Sequence, residues 1–154
     1  MKKYLATAAL IATLAQPTHA VTFPTLTTIY VGSGVYDDGS GNNAGEATSI
    51  HCSNVSGVPV SVRVLILANN GAVEGSLTQN LAHGVTVTFS THGTFIFVDA
   101  DLQTGGVFQG ALNVEATNSA VFCTAAVIDA AVNPPAFSMP LHLVRVNPHP
   151  GTVE

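Results

Sequence analysis

Through most of the chain, apolar and polar residues alternate in short runs, the period of a strand with one face in a core and the other toward solvent. Val58, Val60, Val62, Val64 and Ile66 fall on one side of such a run, opposed by Ser61, Arg63, Leu65 and Leu67. Both faces are apolar near its end, which predicts an interior strand. The preceding run, Ala47 to Asn54, puts Ile50 and Cys52 on one face and Ser49, His51 and Ser53 on the other. Ser56-Gly57-Val58-Pro59 reads as a tight reversal. The stretch from Ser49 to Ala68 is therefore expected to be a hairpin around which the other strands are arranged.

The same reading extends along the chain. Val21 to Val31 is an extended arm entering a first strand at Leu26, with Pro24 keeping its early part out of a central ladder. Gly32 to Gly45 is dense in Gly, Asn and Asp and is expected to be a long surface loop. Asn69-Asn70-Gly71 signals a hairpin, returning through a short strand, Ala72 to Gly75. Leu77 to Leu81, Val85 to Ser90, Thr94 to Val98, Val107 to Thr117, Val121 to Ile128 and Leu141 to Val146 complete the predicted strands. Asp99 to Gly106 reads as a loop, and Asn133-Pro134-Pro135 interrupts the pattern. No stretch after residue 20 keeps a helical period, and turn signals recur about every 8 to 12 residues. The fold class expected is all-β, an antiparallel two-sheet sandwich without internal repeats.

The first twenty residues differ from the rest. Lys2 and Lys3 precede an apolar stretch from Leu5 to Leu14, and small residues lead to a plausible cut after Ala20. This is the layout of a secretory signal peptide of bacterial type, too short in its apolar part to span a membrane comfortably. The reading gives residues 1–20 as leader and residues 21–154 as one domain.

Without the leader, Arg63 and Arg145 are the only fixed cations against nine acids, a formal charge of −7 with no lysine. Nucleic acid and anionic lipid both call for clustered Lys and Arg, so neither is an expected partner. Charged residues make up 8% of the chain, against about 25% in an average domain. The surface is expected to be neutral and polar, suited to the outside of a cell and tolerant of contact with its own copies.

Two cysteines, Cys52 and Cys123, remain after the leader, and an even count in an exported chain makes a disulfide the default. Each sits among apolar neighbours, Cys123 sharing a face with Val121, Ala125 and Val127. One cysteine on an early strand and one on a late strand resemble the bridge of immunoglobulin-type domains. The resemblance implies two antiparallel sheets pinned together by an inter-sheet bond from Cys52 to Cys123. The chain departs from that family in having no tryptophan, and in having Val121 where the family has a tyrosine.

Candidate chemistry is sparse. Asp38, Ser40, Asn42 and Glu46 offer oxygens at alternating positions and resemble part of a calcium loop, although Asn43 stands where such a loop needs Gly. Asp99 and Asp101 form a lesser pair of the same kind. His51, His83, His92, His142 and His149 are dispersed, with no spacing that requires a metal centre. No Gly-x-Ser-x-Gly elbow occurs, and the nine acids give no preferred catalytic pair. Asn54-Val55-Ser56 fits a glycosylation acceptor and also plain turn sequence.

The function expected is an exported, non-enzymatic binding or structural module of the periplasm or cell surface. It needs no cofactor, and it could self-associate as a surface subunit, the arm from Val21 to Tyr30 adding to a neighbour's sheet. Two alternatives stand beside it: a small secreted hydrolase or carbohydrate-active protein using loop carboxylates, and a calcium-dependent adhesion module.

Overall fold

The computed structural model describes residues 25–146. The expected leader, the start of the arm and the tail with His149 lie outside them. The described chain forms ten strands: β1 (Thr27–Asp37), β2 (Glu46–Asn54), β3 (Val60–Leu67), β4 (Val73–Leu81), β5 (Thr86–Ser90), β6 (Asp99–Asp101), β7 (Val107–Ala116), β8 (Val121–Asp129), β9 (Ser138–Leu141) and β10 (Leu143–Arg145). They make two five-stranded sheets, β10-β1-β7-β3-β4 and β6-β5-β2-β8-β9. All pairings are antiparallel except β5 with β6.

One core lies between the sheets. Val60, Val62, Val64 and Ile66 of β3 and Leu112 and Val114 of β7 share a cluster with Ile50 of β2, Phe89 of β5 and Val121 of β8, all almost wholly excluded from solvent. The alternation in the sequence selects these faces, as burial of apolar surface dictates. Tyr30 reaches across the core to donate from its hydroxyl to the Val121 carbonyl at 3.2 Å.

Several expectations are corrected. The stretch from Ser49 to Ala68 is not a hairpin: β2 belongs to one sheet and β3 to the other. Their inward residues are opposite halves of the core, a relationship that a period of two cannot distinguish from pairing within a sheet. The corner is built by Asn54, fully buried, whose amide donates to the carbonyls of Val58 at 2.7 Å and Leu81 at 2.9 Å, while its oxygen accepts from Ser56 N–H. These bonds occupy the side chain that a glycosylation acceptor would present, and Asn54 is turn sequence.

The cysteines do form a disulfide, but it is not an inter-sheet bond. Cys52 and Cys123 lie directly opposite each other on adjacent strands β2 and β8 of one sheet, Cα atoms 4.2 Å apart. Both side chains point into the core, so the bridge staples neighbouring strands rather than layers.

The predicted loop from Gly32 begins six residues too early. β1 continues to Asp37, and Gly32 and Gly34 are strand residues that admit close neighbours. A Cβ at Gly32 would lie 2.8 Å from Leu143 Cδ2, and Gly34 takes a positive φ of 88° beside a register shift. Thr94 to Val98 is not a strand, whereas Asp99–Asp101, expected as loop, is β6. The last predicted strand divides at His142, β9 ending in one sheet and β10 beginning in the other. The segments on either side of Ser76 join as one strand, β4.

The described end of the arm belongs to β1. Thr27 to Tyr30 pairs with β7 along one side, and the other side is met by β10 at Tyr30 and by Val146 N–H donating to Ile29. Tyr30 is thus paired on both sides within the described chain.

Candidate functional site

The end of the sandwich where β1 stops and β2 starts collects most of the candidate chemistry. Thr48 of β2 joins the two sheets there: its hydroxyl donates to Tyr36 C=O at 2.8 Å and accepts from Tyr36 N–H at 3.0 Å. Thr91 Oγ1 in turn accepts from Thr48 N–H, and Thr104 N–H donates to Thr91 C=O. Asn43 N–H donates to Gly93 C=O, and Ala130 N–H to Gly45 C=O. The loops are thus laced to one another by backbone bonds.

Asp37 and His92 lie inside this lacing. Asp37 shares the inward parity of Val35 and is fully buried, and His92, just beyond β5, is 5% exposed. His92 Nδ1 is 2.7 Å from Asp37 Oδ2, and Nε2 is 2.9 Å from the Ala44 carbonyl. The other carboxylate oxygen accepts from Gly39 N–H at 2.8 Å. A carbonyl can only accept, so Nε2 carries a proton, and a second proton lies between Nδ1 and the carboxylate. Both ring nitrogens are occupied by the fold, and neither is offered to a substrate.

Sequence reading missed this pair. Asp37 falls in the stretch expected as a surface loop, and His92 is one of the dispersed histidines, followed by Gly93. Nothing in their separation of 55 positions links them. The available clue is local: continuing β1 through Val35 places Asp37 on the core side.

The four calcium-candidate residues are placed as follows. Asp38 Oδ1 accepts from Ser40 N–H at 2.9 Å, and the Asp38 carboxylate and Ser40 hydroxyl lie over Gly45, filling the space a Cβ would take. Partial burial pushes the Asp38 carboxyl up, but hydrogen bonds from Ser40 and Glu46 outweigh it and hold the group below its ordinary value. Asn42 turns toward Gly93, its oxygen accepting that N–H at 3.0 Å. Glu46 opens β2, opposite Asp129 of β8. The structure brings Asp38 and Ser40 together and directs Asn42 to a different backbone group.

A second polar group lies on the outer face of the disulfide-bearing sheet. His51 Nδ1 is 2.9 Å from Thr88 Oγ1, and the edge-to-face contact with Phe97 has a centroid distance of 4.6 Å. Burial of this ring pushes its pKa below the ordinary 6.5, against the opposing pull of Asp99. Asp99 Oδ2 accepts from Thr94 N–H at 2.6 Å, while Asp99 Oδ1 and Thr94 Oγ1 are buried without a protein partner. Asp101 accepts from Gln103 N–H in its own turn. His83 accepts from Gly57 N–H at the opposite, β2–β3 corner, and His142 borders a cleft of about 280 Å³ with Val31, Gly32, Ser33 and Val144. A larger cleft of about 370 Å³ lies beside Asn69, Asn70, Glu74 and Phe108. Among the described residues, no three His, Cys, Asp or Glu side chains converge as metal ligands do.

No family model matches the sequence, and no curated protein matches it. Among solved structures, the chain is similar in outline to one described as the crystal structure of Thermotoga maritima 1070. The two are 10% identical, with 75% of this chain and 91% of that chain covered and a TM-score of 0.47. Among the described residues no helix is long and apolar enough to cross a membrane.

Proposed function

We propose that the chain is an exported, non-enzymatic β-sandwich, acting in the periplasm or at the cell surface as a binding or structural module that associates with copies of itself. The observation that supports this reading best is the fate of Asp37 and His92. The one acid–histidine contact at ion-pair distance among the described residues is sealed, with each ring nitrogen bonded to the chain. Asp38, Asp99 and Asp101 each accept from a nearby backbone N–H, of Ser40, Thr94 and Gln103. Exported location is supported by the leader pattern and by a disulfide, a bond that persists in oxidising compartments.

Two measurements test the proposal. Cells producing the full chain are fractionated and the N-terminus of the product is sequenced; mature protein starting at Val21 in the periplasm or medium is expected, and uncleaved cytoplasmic chain overturns export. The purified protein is then assayed against ester, peptide and glycoside substrates beside His51→Ala. Turnover that disappears in the folded variant overturns the non-enzymatic reading.

A further inference from the structure

Sheet edges invite pairing with another chain, and folds blunt them with short strands, prolines or charges. Three of the four edges here are treated in that way. β10 and β6 are three residues each, and β9 is four residues including Pro140, which has no N–H to donate. β4 is the exception. It has nine residues, contains no proline, lysine or arginine, and carries one charge, Glu74.

Part of β4 is already covered. Gly75 packs beneath Leu102 and Thr104, so closely that a Cβ would lie 2.7 Å from Thr104 Cγ2. The register shift of the β3–β4 pair is confined to the same end, between Ile66 and Leu67. From Ser76 to Asn80 the ladder with β3 is regular, and no strand of the described chain pairs with its far side. Ser76, Thr78 and Asn80 are exposed, whereas Leu77 and Gln79 are half-buried on the inward side.

We propose that two copies of the chain join through β4, the two strands running antiparallel about a two-fold axis at Thr78. Such an interface is isologous, so each residue's partner follows from the axis. Thr78 meets Thr78, Ser76 meets Asn80, and Leu77 meets Gln79. Thr–Thr pairs directly opposite are favourable, and no like charges oppose each other in this register. Glu74 falls opposite Ala82. One strand inward, Arg63 stands opposite Thr78 and is neutralised by its ion pair with Glu115. The product is one continuous sheet of ten strands, its added hydrogen bonds supplied by a ladder that is otherwise left to water.

The inference rests on the proposed reading of the chain as a self-associating module and names the surface it uses. Its failure is separable from failure of that reading: a dimer that forms through another surface leaves self-association standing and overturns only the β4 interface, whereas a monomer overturns both. Light scattering of the mature protein at rising concentration is expected to show a monomer–dimer equilibrium. Thr78→Glu suits the monomer, standing opposite Arg63, but sets two carboxylates face to face on the axis. It is expected to weaken association at least about tenfold. Thr78→Cys places two thiols at directly opposed ladder positions, within disulfide reach, and is expected to give a covalent dimer under mild oxidation; Thr124→Cys on the other sheet is not. A wild type that is monomeric up to about 1 mM overturns the proposal. So does a dimer that Thr78→Glu leaves intact and Thr78→Cys fails to cross-link, and loss of that dimer on deleting residues 21–26 would move the interface to the arm.

Discussion

Asp37 and His92, 55 positions apart, meet at 2.7 Å inside the loop-bearing end of the sandwich, one closing β1 and the other following β5. The contact fastens β1 of one sheet to the segment that follows β5 of the other. Removing one member of such a buried pair strands the other in a low-dielectric site. Asp37→Ala is therefore expected to cost about 3 to 5 kcal/mol in urea unfolding. Asp37→Asn should cost less than half as much, since its amide can donate to Nδ1 while its oxygen still accepts from Gly39. Equal losses for both variants would show that charge, not hydrogen bonding, holds the pair.

The disulfide between β2 and β8 closes a loop of 71 positions. In the chain-entropy account such a loop restricts the unfolded state by on the order of 4 kcal/mol. Cys52→Ala with Cys123→Ala should lower the urea midpoint correspondingly while retaining the far-ultraviolet β signature. The expectation rests on the strands being neighbours already through nine ladder positions, which the bond fixes but does not create.

Gly45 has a φ of 63°, and the Asp38 and Ser40 side chains occupy its Cβ space. Gly45→Ala combines a left-handed conformation with a collision and should cost about 1 to 3 kcal/mol. The same crowding bears on calcium. Asp38 and Asn42 already accept from Ser40 and Gly93 N–H groups. Adding millimolar calcium or EDTA is expected to leave the melting temperature unchanged, and a calcium-dependent rise would establish the loop as a metal site.

His51 has its pKa depressed in the folded protein, chiefly by burial. A depressed basic group binds fewer protons folded than unfolded as pH falls through 6.5, so its contribution to stability is present above that value and is lost on acidification. Phe97 covers the ring at 4.6 Å. In Phe97→Ala the ring's nuclear magnetic resonance titration should move up toward 6.5, and the loss of stability between neutral and mildly acid pH should shrink. An unmoved titration would place the desolvation elsewhere.

The all-β class, the inward faces of β2, β3 and β8, and the disulfide partners are legible in the chain, because a period of two and a count of two cysteines are local properties. The hairpin at Asn69-Asn70-Gly71 was equally legible, since positive φ at Gly71 is a demand on one residue. Which sheet each strand joins depends instead on contacts between distant segments. Alternation at Ser49 to Ala68 is the same whether β3 pairs with β2 or faces it across the core, and Asn54's buried amide selects the second. The cysteines share a sheet because β2 pairs with β8, a second long-range choice. Side-chain chemistry was decided later still: His92 acquires Asp37 and Ala44 as partners because separate strand ends are brought to one end of the sandwich, and no spacing along the chain encodes that meeting.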